Sequence, residues 1–221
     1  MANIIDETYF ENVNLYIPNV KDVNVEPAGS PTVVTNLEAF ITKYERELLL
    51  NALGVTLYDE LQVALELEDF TTAAQKWQDL VNGTNYTNAD GNVKRWDGLK
   101  GYSKQSLIAF YIFTEYLRED NETYATVGVV KNGSKNAERT NATPKFYKAY
   151  SQFIDAYQGN FNCTQPIVVV NGFGSVGLDY YGAESVTVSL LKYLTDSNEL
   201  DPLAFPDFEF KFYEYQNSYG I

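Results

Sequence analysis

The run Leu107-Ile108-Ala109-Phe110-Tyr111-Ile112-Phe113 constrains this chain more than any other feature. It sits inside a helix predicted over 103–120 and leaves that helix without a polar face. Such a helix is stable in water only when other elements surround it, so it is expected at the centre of the fold. As the longest apolar stretch in the chain, it is far too short to cross a bilayer.

The surrounding elements read as helices. Thr35 and Glu38 have the spacing of a capping box, and Leu37, Phe40, Ile41, Tyr44 and Leu48 follow on one helical face. Gly54 is placed to end that helix, and Thr56 to start a second carrying Leu57, Leu61, Ala64 and Leu65. A third runs from about Thr72 through Trp77 and Leu80 to Gly83. Thr143-Pro144 opens another, with Phe146, Tyr150, Phe153, Ile154 and Tyr157 as its buried stripe. Short connections between such helices predict antiparallel packing.

Other segments break the helical period. Asn88-Ala89-Asp90-Gly91-Asn92 is turn chemistry flanked by Tyr86, Val93 and Trp96, which predicts a small hairpin over 84–98 extending from the helical body. Residues 121–142 read as a polar connection. Residues 8–34, broken by Pro18, Pro27, Gly29 and Pro31, read as an arm or edge strand outside the core. Near the other end, Pro166–Val170 reads as a strand, and 179–198 is ambiguous between helix and strand. Residues 207–215 alternate with period two, placing Phe208, Phe210 and Phe212 on one strand face. The expected fold is mainly α (α+β): an antiparallel bundle of about five helices with a small hairpin and β-rich N- and C-terminal extensions. Its divisions are an arm (1–34), a helical core (35–160) and a C-terminal extension (161–221).

Composition removes much chemistry. There is no histidine, so Ser-His-Asp and Cys-His catalysis, His-ligated zinc and imidazole pH switching are excluded. Cys163 is alone, which leaves neither an internal disulfide nor a cysteine zinc site. Sixteen Lys and Arg against 30 Asp and Glu give a net charge of −14, which opposes wrapping of nucleic acid. The start, Met1-Ala2-Asn3-Ile4-Ile5-Asp6-Glu7, lacks the basic and apolar regions of a signal peptide. The six sequons at Asn82, Asn85, Asn121, Asn132, Asn141 and Asn162 therefore read as Asn- and Thr-rich composition. The chain is expected to be soluble and made in a reducing cytoplasm, with no membrane partner.

Three motifs have a chemical reading beside a plain one. Gly172-Phe173-Gly174-Ser175-Val176-Gly177 follows a Val-rich strand as a dinucleotide fingerprint does. Only 44 residues follow it, too few for the remaining βα units, so a Gly-rich turn is the reading adopted. Asn88, Asp90, Gly91 and Asp97 fit four positions of a calcium loop, but Tyr86 would occupy the first, and a hairpin turn is preferred. Asp59-Glu60 and Glu68-Asp69 could serve as glycosidase carboxylates, yet they lie on solvent-facing helix positions. No catalytic residue, cofactor site or metal site is assigned.

Eighteen tyrosines suit a surface that becomes buried on assembly, or one that stacks on sugars. The Phe208/Phe210/Phe212 ladder could add to the edge of a neighbour's sheet or belong to the protein's own sheet. Phe208, Phe210, Phe212, Tyr213, Tyr215, Trp96 and Tyr86 are the candidate interface residues.

Leu48-Leu49-Leu50-Asn51-Ala52-Leu53-Gly54-Val55-Thr56-Leu57-Tyr58-Asp59-Glu60-Leu61 ends one helix at Leu-Gly and starts another with an aromatic. Trp77-Gln78-Asp79-Leu80-Val81-Asn82-Gly83, the turn Trp96-Asp97-Gly98-Leu99, the helix end Phe113-Thr114-Glu115-Tyr116-Leu117-Arg118 and Thr126-Val127-Gly128-Val129 follow. With these features, 37–157 resembles the head–tail connector (neck or adaptor) proteins of tailed bacteriophages, especially those of Bacteroidetes and crAss-like phages. The hairpin and everything after Asn160 lie outside the resemblance. It implies a helical virion subunit that forms a ring, commonly a dodecamer, under the portal and joins capsid to tail. Its partners would be copies of itself, the portal protein and other neck or tail proteins. DNA would pass through the channel without sequence-specific binding, and neither catalysis nor a cofactor is implied. A carbohydrate-binding or glycan-acting protein with aromatic platforms is the alternative, and a nucleotide-binding enzyme using 172–177 a further one.

Overall fold

α3 (Leu107–Asp120) is the helix around which the rest is arranged. In the computed structural model, every residue from Ser106 to Glu115 is buried. The structure describes residues 2–11, 14–17, 33–120, 123–125, 128–130, 143–159 and 185–214. α3 packs against α1 (Val33–Leu65), α4 (Thr143–Tyr157) and an N-terminal 3-10 turn, Glu7–Glu11. Its missing polar face is thus matched by neighbours on several sides, as the apolar run requires. The fold is mainly α, with α2 (Gln75–Asn82) and α5 (Leu190–Leu200) completing the described helices.

α1 is two helices joined at Gly54, whose backbone leaves the helical region with φ 79° and ψ 173°. A side chain at that φ is strained, and a Cβ there would also stand 3.2 Å from the Glu209 side chain. The predicted break therefore stands, although the first half begins at Val33, ahead of Thr35. The Thr35 side chain of the expected capping box lies outside the described residues. By length and composition Leu37–Leu65 is apolar enough to cross a membrane; half of its apolar window is buried inside the protein, where it forms core against α3.

β1 (Thr84–Thr87) and β2 (Val93–Trp96) pair antiparallel, from Thr84 opposite Trp96 to Thr87 opposite Val93. Asn88 closes the loop, its N–H donating to Asn92 O (3.0 Å) and its Oδ1 accepting from Asn92 N–H (2.9 Å). The hairpin is where the turn residues place it, but it does not extend from the body. Trp96 is 3% exposed, and its indole N–H donates to Leu80 O at 2.9 Å. The outer edge of β2 is covered too: Arg95 N–H donates to Val186 O (2.7 Å) and Arg95 O accepts from Val188 N–H (3.0 Å). A second short pair, β3 (Thr123–Ala125) with β4 (Gly128–Val130), lies in what reads from sequence as a polar connection.

The ends depart from expectation. The described part of the N-terminal segment, 2–11 and 14–17, joins the core: Ile4, Ile5, Phe10, Leu15 and Ile17 are all buried. Its backbone can enter the core because partners are provided: Ile4 and Ile5 N–H donate to the Glu45 carboxylate, and Ile17 N–H donates to Phe10 O. Of the ambiguous stretch, 190–198 fall in α5, with Ser189 Oγ accepting from Lys192 N–H at its start, Thr187 bridges to Arg95 of β2, and 179–184 lie outside the described residues. Asp207 lies in a turn, and 208–214 form neither helix nor strand. The described parts of the two ends thus carry a 3-10 turn and a helix where β-rich extensions are expected. The predicted strand Pro166–Val170 and the glycine motif Gly172–Gly177 lie outside the described residues.

Candidate functional site

Residues 207–214 run across the junction of α1 and α4 as a strap. A strand pattern needs a neighbouring strand, and here helices supply the partners instead. Lys211 N–H donates to Asn51 O (2.7 Å), a carbonyl near the Gly54 break. Lys211 O accepts from the Tyr157 hydroxyl (3.1 Å), and Glu214 O accepts from the Tyr150 hydroxyl (2.7 Å). The aromatic side chains follow this seat. Phe210 stacks on Tyr157 at 4.4 Å, while Tyr213 meets Phe153 (5.2 Å), Tyr157 (5.3 Å) and Tyr111 (5.8 Å). Burial raises the hydroxyl pKa of Tyr111, Tyr157 and Tyr213 above the ordinary value, so this cluster stays neutral.

Of the candidate interface residues, Phe208 and Phe210 are half-buried against the core, Tyr213 is inside the cluster, and Phe212 is 59% exposed. Tyr215 lies outside the described residues. Tyr86 and Trp96 stand elsewhere, between the hairpin and α5. Trp96 stacks on Tyr193 (5.4 Å between centroids), and Tyr86 meets the same ring edge-on (5.6 Å). Burial pushes the Tyr193 hydroxyl up to about 12. Tyr86 donates its hydroxyl to Asp196 Oδ2 at 2.7 Å, and Lys192 Nζ reaches Asp196 Oδ1 at 2.6 Å. Tyr86, Trp96 and Tyr213 therefore all take part in packing within the chain.

Two surfaces were not legible beforehand. On the second half of α1 and the turn that follows it, Val55, Val63 and Leu67 are exposed among Asp59, Glu60 and Glu66. At the base of the hairpin, a groove of about 270 Å³ is lined by Asn82, Thr84, Asn85, Arg95, Asp97 and Tyr102, with Gly83, Gly101 and the edge of Trp96 between them. The groove joins residues from a helix end, two strands and a turn, so no local pattern announces it. The sequence hint was the glycine spacing Gly83, Gly98 and Gly101, all at positive φ.

The acid pairs act locally. Glu60 faces Lys76 at 3.4 Å, and Asp69 caps the 3-10 turn Phe70–Thr72 by accepting from Thr71 N–H (2.9 Å) and hydroxyl (2.7 Å). Those bonds hold the Asp69 carboxyl below its ordinary range. Among the described residues no cluster of acidic or cysteine side chains could hold a metal ion. Compared with protein-family models, curated proteins and solved structures, the chain matches none.

Proposed function

We propose that this protein is a structural subunit of the neck of a tailed bacteriophage, a connector that forms a ring under the portal, extends the DNA channel and joins capsid to tail. The observation that carries the reading is the second half of α1, within the segment where the resemblance is densest. Exposed apolar side chains there (Val55, Val63), with Leu67 in the turn that follows, stand among the acids Asp59, Glu60 and Glu66. A surface of this kind suits a heterologous contact, in which one patch meets a different patch on the next copy and the contacts close into a ring.

The helices in this reading form an antiparallel bundle whose ends reach neighbouring copies, and Phe212 is the strap's contribution to such a contact. The protein works by shape and mutual contact in the virion, without transforming a substrate. Its net charge of −14 suits a channel that lets DNA phosphates pass by repelling them. A ring whose lumen is lined with Lys and Arg would remove that part of the proposal.

Mass photometry and negative-stain imaging of the purified protein, alone and with the portal protein, test the reading. Rings, alone or on the portal, are expected for the wild type. Val63→Asp is expected to lose them while keeping its helical circular dichroism, because the side chain is exposed. A wild-type protein that stays monomeric beside the portal would overturn the proposal.

A further inference from the structure

The geometry points to the groove at the hairpin base as a binding site for a neutral, hydroxyl-rich ligand the size of one sugar ring, a pyranose of a glycan. This inference is independent of the ring reading.

The site is built on a fixed floor. A Cβ at Gly83 would lie 2.7 Å from Trp96 O, and one at Gly98 would lie 2.5 Å from Gly83 N, so the two backbones meet where only glycine fits. Leu99 and Lys100 N–H donate to Leu80 and Val81 O, each at 3.0 Å, and tie the following turn to the end of α2.

One wall is strained. Between Tyr102 and Gln105, Ser103 and Lys104 both take left-handed φ values of 54° and 61°, uncommon for residues with a Cβ. The turn is held by Gln105 N–H donating to Tyr102 O (3.0 Å) and by Lys104 Nζ donating to the Thr8 hydroxyl (2.6 Å). Strain maintained by surrounding contacts is characteristic of functional sites. Its result here is to hold Tyr102 at the groove, 74% exposed.

The walls retain hydrogen-bonding capacity. Among the described residues, the Tyr102 hydroxyl and the Asn85 carboxamide make no hydrogen bond, and Arg95 engages Asp97 through Nε alone (2.7 Å). The remaining guanidinium N–H groups and the second Asp97 oxygen are therefore a donor set and an acceptor side by side. A vicinal diol, whose hydroxyls both donate and accept, matches that pair. The C–H face of a pyranose matches the exposed Tyr102 ring.

Charge and size narrow the class. Arg95 and Asp97 cancel, so the lining favours neither a phosphate nor a metal ion. A volume of about 270 Å³ equals that of about nine liquid waters, the scale of one ring.

Saturation-transfer NMR with glucose, galactose, mannose and N-acetylglucosamine, and separately with a neutral polysaccharide, tests the assignment. The wild type is expected to bind at least one probe. Transfer to a monosaccharide would assign a free sugar, and transfer to the polysaccharide alone would assign an extended chain. Tyr102→Ala and Asn85→Ala are each expected to weaken binding about tenfold. Circular dichroism should be unchanged, since both side chains are exposed. Leu203→Ala, at an exposed position outside the groove lining, should bind as the wild type does. Absence of transfer to every probe, or undiminished binding by both groove variants, would overturn the inference.

Discussion

Gln158 closes both hydrogen-bonding groups of the Tyr213 backbone: its Oε1 accepts from Tyr213 N–H at 2.9 Å, and its Nε2 donates to Tyr213 O at 3.0 Å. One carboxamide thus performs the part of a neighbouring strand and sets Tyr213 into the aromatic cluster with Tyr111, Phe153 and Tyr157. Gln158→Ala leaves both backbone groups without that partner and is expected to destabilise the protein by about 1–3 kcal/mol. Gln158→Glu keeps the acceptor but places a second oxygen against Tyr213 O, so it should also destabilise. Urea unfolding measures both. Deleting 207–221 removes Phe210 and Tyr213 together and should lower the midpoint further than either substitution. A deletion that unfolds like the wild type would show that the strap is an appendage.

The same contacts explain what could be read from the residues beforehand. The central helix was legible because 107–113 offers no face to water, and Gly54 and Gly83 mark helix ends by local chemistry alone. The N-terminal segment was not, because Ile4, Ile5, Phe10, Leu15 and Ile17 follow no period. The backbone N–H groups of Ile4 and Ile5 find their acceptor only on Glu45, about forty positions away. The 207–215 alternation was real, but alternation specifies only an extended chain; whether it becomes a strand depends on its neighbours. The groove escaped for a related reason, since its residues are unremarkable until the hairpin folds back onto α2.

Glu45 makes stability depend on pH. It is 2% exposed and accepts from Ile4 N–H (2.7 Å) and Ile5 N–H (3.2 Å). Burial outweighs those two bonds and raises its pKa from 4.5 to about 7. Below pH 4.5 the group is protonated in folded and unfolded chains alike and contributes no difference. Between 4.5 and about 7 the folded chain holds the proton more tightly, so this group's contribution falls as pH rises and is lowest above about 7. The full change is on the order of 3 kcal/mol. Urea unfolding across that window should yield a steeper loss of stability with rising pH for the wild type than for Glu45→Gln. Parallel profiles would place the titrating group elsewhere.

Asp196 supplies a contrasting case, a buried carboxylate whose partners come from two elements. It is 0% exposed, with Lys192 one turn earlier on α5 and Tyr86 on β1 of the hairpin. Removing the lysine leaves the buried Asp196 without its cation, and because Lys192 is itself a third exposed, Lys192→Met is expected to cost about 3 kcal/mol, the low end for a buried pair. Tyr86→Phe removes one neutral donor and preserves the ring against Tyr193, so a smaller loss of about 1–3 kcal/mol is expected. Adding Asp196→Asn to Lys192→Met discharges the stranded carboxylate and should recover part of the loss. That recovery, read from the midpoints of thermal unfolding, separates electrostatics from packing: a double variant no more stable than Lys192→Met alone would mean that the lysine's aliphatic stem, and not its charge, holds α5 to the hairpin.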